Sequence, residues 1–328
     1  METVAALAGV SAATVSRVLN GSARVSPPVK SAVQSAVERL GYVPNRAARS
    51  LVTRRSDSVA LVVREPLEFG VTDPYLSKMI VASSQSAVRT GRQLVVLIAQ
   101  DDEVHDCVAD HVQACHIDGV VLSSVHADDP LPQQLRRAGV PLVICGRPAR
   151  DLHGFCSVDV DNLGGGRMAT RRLLETGRRT VATITGPTDM TVCLDRLRGF
   201  RETLCEAGRA PGLVARGDFT RQSGERAMRD LLQRAPGLDG VFVASDLMAV
   251  GAIRVLRSEG RRVPEDVAVV GFDDIDLSQH TDPPLTTVRQ PVAEQAEMLM
   301  ECLVRQIVDG ASVEPKVLAP DLVVRQSG

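Results

Sequence analysis

The chain has 328 residues, 24% of them charged, six Phe, two Tyr and no Trp, and a formal charge of −2 at pH 7. That length accommodates more than one domain, while no apolar run reaches the roughly 18 residues of a membrane span. Met1-Glu2 opens no signal peptide, so the expectation is a soluble, cytoplasmic protein with no membrane partner. The seven cysteines, at 107, 115, 145, 156, 193, 205 and 302, form no CxxC pair and stand mostly in apolar runs such as Val143-Ile144-Cys145. They read as buried reduced thiols rather than disulfides or zinc ligands. The small net charge hides an asymmetry: residues 1–55 carry eight basic and two acidic side chains, the remainder 30 basic and 38 acidic. A basic end on an acidic body suits a chain that sets one end on phosphate.

In chain order, Val4, Leu7 and Ala8, then Val10, Val15, Val18 and Leu19, fall at spacings that put two short helices back to back. Gly9 is the residue type that ends a helix in the left-handed conformation, and Ser11 stands where a hydroxyl caps the second helix. Ala12, Ala13, Thr14, Ser16 and Arg17 share the outer face, small and polar enough for a major groove. A generic surface hairpin gives the same pattern. Ser26-Pro27-Pro28 then starts a third helix that runs to about Leu40 and stops at Gly41.

The segments AGVSAATVSRVLNG, then VS, then GYVPNRAARSL resemble the DNA-binding head of the lac-repressor (LacI/GalR) family of bacterial transcription regulators, nearly continuously over residues 4–51. The resemblance implies base reading by Ala12, Ala13 and Arg17. It implies phosphate contacts by Ser11, Thr14, Ser16, Asn20 and Ser26, with Arg24 beside them. Arg17 has the fork for a bidentate contact to guanine, and the alanines offer only apolar contact. Asn45 to about Val52 matches the family's hinge helix, in which Ala48 approaches the minor groove and Leu51 wedges into a base step; an ordinary linker leucine is the alternative. Thr3 stands where the family often has Asp, and the chain begins inside the first helix, which leaves two expectations: a start upstream of Met1, or one phosphate contact fewer.

From Ser58 onward apolar β-branched runs (59–63, 94–99, 119–122, 142–145) alternate with helical patterns near 75–90, 103–116 and 130–138. A second series has strands at 181–185, 240–244 and 267–271 among helices at 162–176, 194–208, 221–234 and 246–259, followed by a long helix at about 291–309 and short strands near 316–326. Uniformly apolar strands with helical crossovers mean parallel sheets covered on both faces. The expected fold is an N-terminal all-α helix-turn-helix head (1–44), a hinge and linker (45–56) and an α/β core (57–328) of two doubly wound parallel-sheet subdomains. The family resemblance makes that core periplasmic-binding-protein-like, with subdomain one at about 57–160 and 290–319, subdomain two at about 161–289 and 320–328, and a ligand cleft between them. Its landmarks here are Asp161-Asn162, Arg196-Leu197-Arg198-Gly199-Phe200, Ala244-Ser245-Asp246, Gly271-Phe272-Asp273-Asp274 and Pro284-Leu285-Thr286-Thr287.

Arg196 and Asp273 match the family's ligand-gripping positions and suit vicinal hydroxyls or a polar base edge; a surface ion pair is the bland alternative. Phe219 matches a stacking aromatic, or is a core Phe. Ser245, Asp246 and Phe272 follow, and on the first subdomain Phe69, Asp73, Tyr75 and Arg147. Gly146 stands where some relatives have Asp. Gly164-Gly165-Gly166 lacks a GK[ST] ending and reads as close helix packing rather than a phosphate loop. His105, His111 and His116 are offset by six and five, off one helical face, so no metal is expected. No catalytic pattern appears, so no enzyme and no cofactor is expected. The resemblance implies a repressor that binds a palindromic operator in double-stranded DNA as a homodimer, controlled by a small molecule, a sugar rather than a purine or nucleoside corepressor. The chain ends at Gly328 with no heptad tail for tetramers. A transporter-feeding solute-binding protein is the competing class.

Overall fold

The computed structural model describes residues 1–19, 25–42, 56–65, 73–99, 108–112, 114, 117–148, 154–310 and 313–328. Asn20, Arg24, Asn45, Ala48, Leu51 and Phe69, and all of the expected hinge before Ser56, lie outside those residues. Two compact units make up the chain, 1–56 and 57–328.

The first unit holds α1 (Glu2–Ala8), α2 (Ala12–Leu19) and α3 (Pro27–Leu40). Gly9, at φ 66, turns its N–H back to the Ala6 carbonyl while the Val10 N–H reaches that of Ala5, and α1 ends there. Ser11 Oγ accepts from the Thr14 N–H at 3.2 Å and so caps α2. Ser26 leads into α3, prolines fill its first turn, and Gly41 at φ 55 ends it. Each helix contributes one fully buried valine, Val4, Val15 and Val33, and Val18, Leu19 and Tyr42 pack around them. Leu7 does not join this core: it is 43% exposed, because the inward stripe of α1 runs Val4, Ala5, Ala8.

In the second unit β1 (Ser58–Val63), β2 (Gln93–Ile98), β3 (Gly119–Ser123), β4 (Leu142–Cys145), β5 (Cys156–Val160) and, from far along the chain, β11 (Lys316–Leu318) form one sheet in the order β11-β5-β4-β3-β1-β2. Every pairing in it is parallel. Helices α4 (Pro74–Arg89) and α10 (Val292–Asp309) seal one face; α5 (Leu131–Arg137) and the helical stretch at 108–112 seal the other. The second lobe's sheet runs β12-β10-β9-β8-β6-β7, built from β6 (Val181–Thr185), β7 (Leu213–Arg216), β8 (Gly240–Val243), β9 (Ala268–Asp273), β10 (Thr286–Arg289) and β12 (Asp321–Val323). Only β10 with β12 is antiparallel. Helices α6 (Asn162–Glu175) and α7 (Thr191–Glu206) cover one face, α8 (Arg221–Arg234) and α9 (Asp246–Ser258) the other. The chain crosses between lobes after β5, after β10 and after β11.

The expected head and the two parallel-sheet subdomains are therefore present. Three strands were not expected. β5 interrupts its apolar residues with Ser157 and Asp159, both buried, β7 is four residues with an exposed end, and β10 is Thr-Thr-Val-Arg.

Gly164-Gly165-Gly166 belongs to α6, where the last two glycines allow close packing. A Cβ on Gly166 would lie 2.3 Å from the Arg196 carbonyl oxygen, and one on Gly199 would lie 2.2 Å from that of Leu163. Helices α6 and α7 thus meet through backbone. Gly166→Ala is expected to destabilise the protein by about 2 kcal/mol or more in thermal melts, since neither backbone can yield cheaply. Gly237→Ala, whose Cβ enters open space, is expected to stay within about 0.5 kcal/mol of the parent.

Candidate ligand cleft and recognition helix

The carboxyl ends of both sheets border one cavity of about 770 Å³, its mouth included, where open α/β sheets place their ligand crevices. Three of its lining residues, Ser124 (φ 58), Phe219 (φ 66) and Asp273 (φ 116), hold positive φ without being glycine. Non-glycine backbone strain of this kind concentrates at sites where a side chain must be aimed.

Arg196, on α7, is 5% exposed. Its Nε donates to Asn162 Oδ1 at 2.8 Å and its Nη1 to the Ala244 carbonyl at 2.6 Å. Its guanidinium lies 3.6 Å over the Phe272 ring. Asp273 Oδ1 stands 3.9 Å from Nη1 and accepts from Gln290 Nε2 at 2.6 Å. Burial pushes the Asp273 carboxyl above the ordinary carboxylate range, against the pull of Arg196. The two expected gripping residues therefore face the cavity together. Phe219 lines it too and packs on the cores of both lobes. Ser245 lines it while capping α9 by accepting from the Met248 N–H at 3.3 Å. On the first lobe Asp73 caps α4, its Oδ1 taking the Tyr75 N–H at 2.7 Å, and both residues border the cavity.

Two expected residues do not line it. Phe272 is fully buried beneath Arg196. Asp246 is fully buried among the Ile275 N–H (3.0 Å), Ser278 Oγ (2.6 Å) and Thr287 Oγ1 (2.5 Å), tying together the segments around β9 and β10. A third, Arg147, reaches the cavity edge with its fork on Asp195 of the other lobe, Nε to Oδ2 at 2.6 Å and Nη2 to Oδ1 at 2.9 Å. Thr191 Oγ1 donates to its carbonyl. His126 Nδ1 lies 2.6 Å from Asp189 Oδ2, a second clasp between the lobes.

The sequence reading missed Glu65, Asp159, Asn162, Gln290 and Gln295, all at this cavity. Most stand within two residues of a strand's carboxyl end, the one signal that would have found them. Burial pushes both Glu65 and Asp159 up to about 7. With Asp73 and Asp273 they make a carboxyl-rich wall whose one buried cation among the described residues is Arg196. Among the described residues no group of three or more His, Cys, Asp or Glu is placed to hold a metal, and no single helix is long and apolar enough to cross a membrane.

On α2, Ala13 and Arg17 are exposed and four residues apart, hence on one face, with Thr14 and Ser16 half-buried beside them. Ala12 is half-buried and packs on the head's core. Ser11 and Ser26 are exposed at the starts of α2 and α3.

A helix-turn-helix unit joined to a two-lobed α/β core with a closed polar cleft defines a ligand-responsive DNA-binding regulator as the class of protein. Residues 1–45 match the family described as bacterial regulatory proteins, lacI family, and residues 170–328 a periplasmic binding protein-like domain. The HTH-type transcriptional regulator CelR of Thermobifida fusca is 50% identical over 333 residues, covering 100% of this chain and 98% of its own. A solved transcriptional regulator CelR-cellobiose complex superposes with TM-score 0.81 at 47% identity, over 100% of this chain and 99% of that one. The lac repressor dimer bound to operator and the anti-inducer ONPF gives TM-score 0.86 at 27% identity, over 99% and 97%. The chain belongs to the lacI family of bacterial regulatory proteins, and it is a transcriptional regulator rather than an enzyme.

Glu65 and Asp159 keep their protons to higher pH folded than unfolded, so the folded chain binds more protons between the two ranges. Their stabilising contribution is full below about pH 4 and lost as pH rises through about 7. The unliganded protein is expected to melt at lower temperature at pH 8 than at pH 5, with a smaller difference in Glu65→Gln. An unchanged difference in that variant removes Glu65 from the effect.

Proposed function

We propose that the protein is a cytoplasmic repressor that binds a palindromic operator as a homodimer and is controlled by an uncharged sugar of about disaccharide size. In this reading residues 1–44 are the operator-reading head and 45–56 the hinge. Residues 57–160 with 290–319, and 161–289 with 320–328, are the effector-binding lobes. The observation that carries the effector class is the cleft wall, which Glu65, Asp73, Asp159 and Asp273 share with Arg196, its buried cation among the described residues, and with Arg147. Such a wall offers an anionic ligand little positive charge, and its carboxyls, protonated or ionised, exchange hydrogen bonds with hydroxyls. The disaccharide size is taken from the CelR relative, which is described in complex with cellobiose. Arg147–Asp195 and His126–Asp189 would hold the lobes together over such a ligand.

Dimerisation is assigned to α4 and β2. Val81 and Val88, seven residues apart on α4, are 57% and 70% exposed, and Val96 on the edge strand is 36% exposed. A self-complementary apolar face on each copy would set two heads on two half-sites. Val88→Glu is expected to shift sedimentation toward monomer; an unchanged dimer places the interface elsewhere.

The proposal is tested by fluorescence anisotropy of the full-length protein with its own upstream DNA and a scrambled duplex, with and without cellobiose. Specific, salt-sensitive binding that cellobiose changes at least tenfold supports it; equal binding to both duplexes contradicts it. Arg17→Ala is expected to weaken operator binding by about 1–3 kcal/mol, with less loss on scrambled DNA. Equal losses on both duplexes remove Arg17 from base reading.

A further inference from the structure

We propose that Asp159 reads a ligand hydroxyl from the first lobe and, through Asn162, sets the Arg196 guanidinium that grips the same hydroxyl from the second. This inference rests on the sugar reading of the cleft. Asp159 sits near the carboxyl end of β5, is 7% exposed and borders the cavity. Its Oδ1 takes the Val160 N–H at 2.8 Å and Asn162 Nδ2 at 2.9 Å. Among the described residues no protein donor reaches its Oδ2. Asn162, 3% exposed, also donates to the Val160 carbonyl at 2.9 Å and accepts from Arg196 Nε at 2.8 Å. Arg196 Nη1 is held by the Ala244 carbonyl at 2.6 Å, which leaves Nη2 with no protein acceptor among the described residues.

One buried amide therefore fixes an open acceptor on one lobe relative to an open donor on the other. A hydroxyl is the group that donates to the first and accepts from the second at once. The neighbouring strand end offers no side chain for this purpose, because Gly146, at φ 103, stands there. Because the hydroxyl bridges both lobes, its contacts are complete only when the lobes are closed, which is the differential affinity a ligand needs to shift a conformational equilibrium.

Asp159→Asn keeps the Oδ1 bonds to Val160 and Asn162 and turns only the cavity-facing acceptor into a donor. Asp159→Ser, which withdraws the carboxylate altogether, is the second variant. Wild type and both variants are titrated calorimetrically with cellobiose, ribose and adenosine, and melted to confirm folding. Cellobiose affinity is expected to fall roughly tenfold or more in Asp159→Asn, with the melting temperature kept. Folded variants that bind cellobiose as tightly as wild type overturn the role of Asp159 and leave the sugar reading standing. A wild type that binds neither sugar sinks the sugar reading and this inference with it.

Discussion

A guanidinium withdrawn from water organises the core. Isolated, Arg196 would be heavily penalised in its nearly closed site. It is held because Asn162 and the Ala244 carbonyl take two of its donors, Phe272 offers its ring face and Asp273 stands nearby as counter-charge. The four partners come from three elements, α6, the end of β8, and β9, so the cation is satisfied only when helix and strands are in register. The glycines at 166 and 199 serve the same end, letting α6 and α7 touch through backbone so that Asn162 and Arg196 meet.

Around that centre the two lobes are joined by three chain crossings and by polar clasps at the cleft, Arg147 with Asp195 and His126 with Asp189. These clasps are partly exposed polar contacts, and such contacts add modestly to stability. Their positions suit gating better than scaffolding, because separating the lobes breaks them without disturbing either core. Asp246 and Phe272, conversely, act from behind the wall: one fixes the segments around β9 and β10, the other supports the cation.

Architecture was legible in the sequence where periodicity was pure. Apolar runs announced β1, β3, β4 and β6, and Gly9, Ser11, Ser26 and Gly41 bounded the head's helices for reasons of backbone conformation and capping. Legibility failed where a strand carries polar residues. Asp159 and Ser157 disguised β5, and the same residue type that hid the strand supplies the cleft with a carboxyl. Arg196 and Asp273 were picked out through the resemblance, and both line the cavity. Glu65, Gln290 and Gln295 were missed because single polar residues after strands carry no pattern, and only the fold brings them together. Arg147 borders the cavity too, but its partner is Asp195 across the cleft, a contact that no spacing in the sequence encodes.

If one cleft couples ligand to operator, as proposed, the two affinities must shift reciprocally. The most direct measurement is the cellobiose dissociation constant by calorimetry, first with free protein and then with protein saturated by operator. Operator is expected to change cellobiose affinity by the same factor by which cellobiose changes operator affinity. Identical cellobiose affinity in the two states would show that ligand and DNA are bound independently, and would contradict that coupling.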